Sequence, residues 1–315
     1  MSITNLHTLY AVNLNTATLN GSPALFDQIQ NFRISTGLQQ ILQNGDGAVD
    51  PSFVGIMSQK PMLRFSTTAL ATGLAACGLS GAVIDADGSY PGLEAWFQKM
   101  AAGSDRASGA NHLKMTGAKG ILVPRSLRAS QDGTATLEFE AIFVYDGTLD
   151  PVVIAASQAL SGSPAVGEMF TVGPVKINGS FLEGIQDITF DFGIKLITES
   201  GDGQVWPTFV GIMSREPSLR IRTTDLTALS TYGITGAAIA ASDVVAFLRK
   251  IAEGTSGRVA DDGGEHISLT AAQGIITVEN ESASQDGVGS ADLVITPSKA
   301  SGTDIIAIST AANIA

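Results

Sequence analysis

The chain has 315 residues, of which 44% are apolar and 15% charged, and its formal net charge is −12, from 18 Lys and Arg against 30 Asp and Glu. Gripping a duplex requires clustered cations that displace counterions, so this balance argues against a DNA-gripping protein, though not against an acidic wall along which DNA slides. The single cysteine, Cys77, excludes an intrachain disulfide and requires no oxidising compartment. Soluble domains average about 25% charged residues. Fewer charges, with a mean hydropathy of +0.23, point to a surface that meets other protein more than water.

The first residues, "MSITNLHTLYAVNLNTATLNG", have neither a basic start nor a sustained apolar run. They do not read as a secretory signal, and the expectation is assembly in a cytoplasm. "GDG" at Gly45–Gly47 reads as a turn, because Gly accepts positive φ and Asp bonds its own backbone. "SFVGIMS" (Ser52–Ser58) reads as a strand and "QKP" (Gln59–Pro61) as the turn or bulge that ends it. Ser66 or Thr67 then caps a predicted helix with Leu70, Leu74 and Cys77 on one side and Gly78 as its stop. Ser66–Ile84 is uncharged and about as long as a membrane span. Its counterpart in the second half carries Arg222, Asp225 and Tyr232, so no span is expected.

"DADG" (Asp85–Gly88) has part of a calcium-loop pattern, but the third Asp and the closing Glu are missing. His112 and His266 stand at equivalent places, each shortly before a predicted strand and without a second His or Cys nearby, which suits solvent-facing or structural histidines better than a metal site. His7 stands alone near the terminus. "GILVPRSLRASQDG" followed by "TATLEFEAIFVY" reads as a hairpin with its tip at Gln131–Asp132–Gly133. Alternation places Leu137, Phe139, Ala141, Phe143 and Tyr145 on one face of the second strand, and Thr136, Glu138 and Glu140 on a face expected in solvent. No phosphate-cradling glycine loop and no Gly-x-Ser-x-Gly elbow is visible. No catalytic, cofactor-binding or metal-binding residue is therefore singled out, and the chain is not read as an enzyme.

Internal similarity runs almost end to end. "GDGAVDPSFVGIMSQKPMLRFSTT" from Gly45 is answered by "GDGQVWPTFVGIMSREPSLRIRTT" from Gly201, "LNGSPALF" from Leu19 by "INGSFLEG" from Ile177, and "HLKMTGAKGILV" from His112 by "HISLTAAQGIIT" from His266. "ASQDG" recurs at Ala129 and Ala283. The second half's helix would be capped by Thr223 or Thr224, with Asp225 in its first turn and Gly233 as its stop. The expectation is a mostly β chain with two tandem copies of an antiparallel sandwich or barrel, each flanked by one short helix, in residues 1–160 and 161–315. The join is expected in the Gly-, Ser- and Pro-bearing stretch 159–169. The first half holds nine basic and twelve acidic residues (−3), the second nine and eighteen (−9). Arg64 and Arg220 recur in "P-x-L-R", either as solvated partners of a nearby acid or as equivalent contacts between domains.

The repeated sandwich with one helix, the "P-x-L-R" strand running into a Thr-capped helix, and the low charge together resemble phage tail tube proteins, major tail proteins of long non-contractile tails that carry a fused double domain. The resemblance covers both halves. It implies a structural virion protein that needs no cofactor, with three chains closing a pseudo-sixfold ring and rings stacking into a tube that conducts DNA without binding it specifically. The partners it implies are further copies of the chain, the tail terminator, the distal tail or baseplate proteins and the tape measure, with assembly in the host cytoplasm. It also implies an arm joining successive rings, expected in the residues before Leu19. Other readings are a tail terminator, a baseplate ring or head decoration protein, or a two-module Ig-like surface adhesin.

Overall fold

The computed structural model describes residues 6–19, 22–101, 106–148, 150–164, 166–227, 232, 235–239, 244–255, 257–285, 287–299 and 304–314. Among them the chain is mostly antiparallel β structure. The first half contains β1 (His7–Asn15), β2 (Ala24–Phe26), β3 (Gln30–Ser35), β4 (Gln39–Asn44), β5 (Pro51–Ser58), β6 (Met62–Thr67), α1 (Leu70–Cys77), β7 (Ala82–Asp85), β8 (Gly92–Lys99), β9 (His112–Gly117), β10 (Lys119–Ser130), β11 (Thr136–Phe143) and β12 (Val153–Gln158). The second half contains β13 (Phe170–Ile177), β14 (Ser180–Leu182), β15 (Ile185–Asp191), β16 (Ile194–Glu199), β17 (Phe209–Arg215), β18 (Ser218–Thr223), β19 (Ala237–Ile239), β20 (Val244–Lys250), β21 (His266–Ala271), β22 (Gly274–Ser284), β23 (Gly287–Pro297) and β24 (Ala307–Ala312).

Strand order in the first half is repeated in the second. One sheet runs β2-β1-β8-β9-β12 and its counterpart runs β14-β13-β20-β21-β24. Within the ten-stranded sheet, β3-β6-β11-β10 with β7 on β10 is matched by β15-β18-β23-β22-β19. Hairpins β4–β5 and β16–β17 stand apart as two-stranded sheets. Both are set off by a glycine in the left-handed region, Gly37 (φ 55°) and Gly193 (φ 58°). A Cβ there would lie 2.5 Å from the Lys60 carbonyl oxygen and 1.9 Å from that of Glu216, so only Gly lets the chain pass so close to its own return.

Alternation explains the faces. Leu137, Phe139, Ala141 and Phe143 of β11 are fully buried, and Phe139 packs against Phe26 and Phe65 with ring centroids 5.2 Å from each. Residues from the five-stranded sheets (Val12, Leu93, Met115, Val175, Leu269) and from the ten-stranded sheet (Leu63, Phe139, Ile221, Leu293) form one continuous buried cluster, as in packed β layers. Helix α1 adds Leu70, Leu74 and Cys77 to it and ends at Gly78, whose N–H reaches the Leu74 carbonyl. Its N-cap is Ala69, without a side-chain cap, and not Ser66 or Thr67, which lie in β6. Thr67 Oγ1 instead accepts the Ala69 N–H at 3.0 Å, and Thr223 accepts the Asp225 N–H in the same way. The helix expected to run on to Gly233 falls largely outside the described residues. No described helix is long and apolar enough to cross a membrane, and Ser66–Ile84 folds as strand end, helix and strand.

The arm expected in the residues before Leu19 is also corrected for the described ones: His7–Asn15 is the strand between β2 and β8, and Ala11, Val12 and Leu14 are fully buried. Polar residues interleaved in "HTLYAVNLN" are the outward positions of a half-buried strand. Deleting residues 6–15 removes these three core side chains and orphans the edges of β2 and β8. The expected outcome is loss of cooperative unfolding and of native circular dichroism in the full-length deletion; a folded deletion variant would contradict this role for β1.

Candidate functional site

Among the described residues, one β-ladder crosses from the first half to the second. It pairs the C-terminal part of β10 with β15, from Ser126 opposite Asp191 to Ser130 opposite Asp187. Strand β10 is long enough to hold two neighbours on one side, β7 along Lys119–Leu122 and β15 further on. Leu127 and Phe190 face one another across the ladder, and both are fully buried, as is Ile188. Burying such a side chain contributes about 1.5–3 kcal/mol, against roughly 1 kcal/mol net per hydrogen bond. Apolar burial therefore dominates this junction and the ladder sets its register.

Two further contacts lock it. The β10–β11 tip sits on the second half, where Thr171 Oγ lies 3.0 Å from the Ser130 and the Gly133 carbonyl oxygens. Hairpin β16–β17 lies over the first half. Trp206 donates its indole N–H to Gln59 Oε1 at 2.6 Å and stacks obliquely on Tyr145, with centroids 5.4 Å apart. Backbone N–H groups of Gln59 and Tyr145 donate to the carbonyls of Val205 and Pro207, each at 2.8 Å. Val210 and Ile212 pack on the core, and Pro207 is buried.

Beneath the hairpin lies a charge cluster that alternation alone places wrongly. Glu140 was expected in solvent, yet it is 3% exposed, between Arg64 and Arg125. Arg125 ties the halves together, donating to Glu140 and to the Ile194 carbonyl while its own carbonyl accepts the Phe192 N–H at 3.1 Å. Burial alone would raise the Glu140 pKa, but Arg125 and Arg64 outweigh it and hold the carboxyl below its ordinary range. Glu138 accepts from Ser126 Oγ. Arg220 meets Glu279 and Asp292 within its own half, so both P-x-L-R arginines face acids of their own half and not of the other.

The counterpart of this junction is bare. Pro51 is exposed where Pro207 is buried, and Ile275 of β22 is 54% exposed where Ile121 of β10 is 8%. Val54 and Ile56, which match Val210 and Ile212, are 61% and 51% exposed. Ile34 of β3 is 39% exposed where Phe190 is fully buried, and Thr8 is exposed where Thr171 is buried. Among the described residues no strand pairs with the outer edge of β3, or with the edge of β22 away from β23 beyond Ile276, since β3 ends the ten-stranded sheet and β19 covers only Gly274–Ile276.

The remaining residues of interest have structural roles. His112 and His266 are buried, not solvent-facing, and each Nδ1 accepts the N–H of a neighbouring-strand lysine, Lys99 at 3.0 Å and Lys250 at 3.1 Å. His7 begins β1 opposite Lys99. Asp87 of "DADG" accepts the N–H groups of Ser89 and Tyr90 in a local turn, as Asp residues in such turns commonly do. Burial pushes the Cys77 thiol up to about 12, which makes it a poor nucleophile. Lys250 lines a cleft of about 370 Å³ beside Met169 and Ile251. Hydrogen bonds that it donates to Glu168 and then Glu265 raise its pKa and keep it a cation.

Because the folded-state pKa of Glu140 is depressed, its stabilisation is complete above the ordinary carboxyl value of 4.5 and is lost as pH falls from there through the depressed value. Glu140→Gln should cost about 2 kcal/mol at neutral pH, the scale of a charge-assisted hydrogen bond. Chemical denaturation at stepped pH should show the gap to the parent chain closing in acid; a gap independent of pH would contradict the ion-pair role. No protein-family model matches this chain, and no curated protein matches it in sequence.

Proposed function

We propose that the chain is a structural virion subunit of the tail-tube kind, built from two tandem copies of one domain in residues 1–160 and 161–315, which closes with copies of itself into rings that stack into a tube. The observation that supports this most is the unmade counterpart of the internal junction. Head-to-tail contacts between two different, complementary surfaces generate rings when the rotation closes. Here the first half already receives the second along β10 and β15, while β22 and β3 keep the matching edges open. Open edges are a liability unless something pairs them.

Following the internal register, Ser282 and Ala283 of one copy meet Arg33 and Phe32 of the next, as Arg128 and Ala129 meet Thr189 and Ile188 inside the chain. Glu279 and Glu281 then lie near Arg33, and Thr8 stands in the place that Thr171 takes inside the chain. This explains why "ASQDG" stands in both halves: its first copy presents the Ser130 and Gly133 carbonyls to Thr171. The junction between copies is weaker than the internal one. Glu281 stands where Leu127 packs, and Ile34 where Phe190 packs, so less apolar surface is buried. Soluble chains that associate as concentration rises are the result. Within this reading DNA passes through the lumen without specific contacts, consistent with the net charge of −12.

Negative-stain electron microscopy of the purified chain over a rising concentration series should show rings and then stacked tubes. A single-chain particle at every concentration would overturn the proposal.

A further inference from the structure

Hairpins β4–β5 and β16–β17 share the tip pattern Gly-Asp-Gly-x-Val-x-Pro, and the residue before Pro differs: Asp50 in the first, Trp206 in the second. The two residues that Trp206 touches differ in step. Gln59 ends "MSQ" and its counterpart in "MSR" is Arg215. Tyr145 follows Val144, whose N–H bonds the Lys119 carbonyl, and Lys299 follows Ser298, whose N–H bonds the equivalent Gln273 carbonyl. Where the internal contact uses Trp against Gln and Tyr, the corresponding open surfaces carry a carboxylate on one and two cations on the other.

We infer that hairpin β4–β5 docks on the second half of another copy of this chain, with Asp50 between Arg215 and Lys299 of that copy. The inference rests on the self-assembly reading and adds to it the partner surface and its chemistry. Asp50, Arg215 and Lys299 are all exposed in the single chain, and Arg215 donates to Ser80 Oγ, at 2.8 Å, a neutral partner it can exchange for a carboxylate. Docking also covers Val54 and Ile56, just as Val210 and Ile212 are covered on the first half. An isolated two-stranded hairpin with such apolar exposure is marginal in water. A second copy supplies both the apolar cover and the opposite charge. Because the contact is a rim ion pair, salt weakens it far more than it weakens the Trp206 contact.

The test uses full-length chains. Asp50→Cys protein mixed with Lys299→Cys protein should form a disulfide-linked dimer under mild oxidation, faster than either variant alone; Cys77 is buried and does not compete. Asp50→Lys, at an exposed hairpin tip, should weaken association by roughly tenfold or more. Combining it with Arg215→Glu and Lys299→Glu should restore association. Rings that form with no Asp50–Lys299 cross-link and no response to charge reversal would overturn this inference while leaving the self-assembly reading intact. A parent chain that never associates would overturn both.

Discussion

A β-strand at the edge of a sheet carries a row of N–H and C=O groups that must find partners in protein or water. In this chain β10 meets that demand by running past its first neighbour, β7, to hold β15 of the other half as well. The ladder joins two five-stranded arrangements into one ten-stranded sheet, and the rest of the architecture follows from it. It places Phe190 against Leu127, sets hairpin β16–β17 over the first half, and brings the Ile194 carbonyl to Arg125, the partner of Glu140. Because the strand order of the first half recurs in the second, each feature of the junction has a counterpart elsewhere on the molecule.

The two versions differ in chemistry. The internal one relies on apolar and aromatic burial, with Leu127, Phe190, Trp206 and Tyr145 at its centre. The surfaces left open carry Glu281, Ile34, Asp50 and Lys299 at the corresponding positions, so they are more polar, and the proposed contact through them is more sensitive to salt. A junction formed once, during folding, gains from permanent burial. A junction made between chains must stay soluble beforehand, and mixed charge on exposed edges keeps such edges from pairing at random.

Much of the β structure was legible because alternation is a local signal. The inward row Leu137–Phe143 of β11 and the α1 stripe Leu70, Leu74 and Cys77 could be read directly. Burial caused by neighbouring strands could not. Glu140 lies on the polar side of its strand, where Arg64 of β6 and Arg125 of β10 close over it, and pairing across strands is something local alternation cannot express. Strand β1 was missed for another reason: "HTLYAVNLN" mixes Asn and Thr into a short apolar row, and its counterpart "FTVGPVKI" is too dissimilar to flag it. The change from "VWP" to "VDP" is visible in the sequence, but it acquires meaning only when Trp206 is seen against Gln59 and Tyr145.

In the proposed assembly, copies of this chain repeat between themselves the edge pairing that each makes internally. Amide hydrogen exchange compared between single chains and assembled protein tests it most directly. The outer-edge amides of Gln30–Ser35 and those of residues 277–284 should gain protection together on assembly, while Ser126–Ser130 and Asp187–Asp191 should be protected in both states. Assembled particles in which β3 and β22 exchange as fast as in the single chain would contradict it.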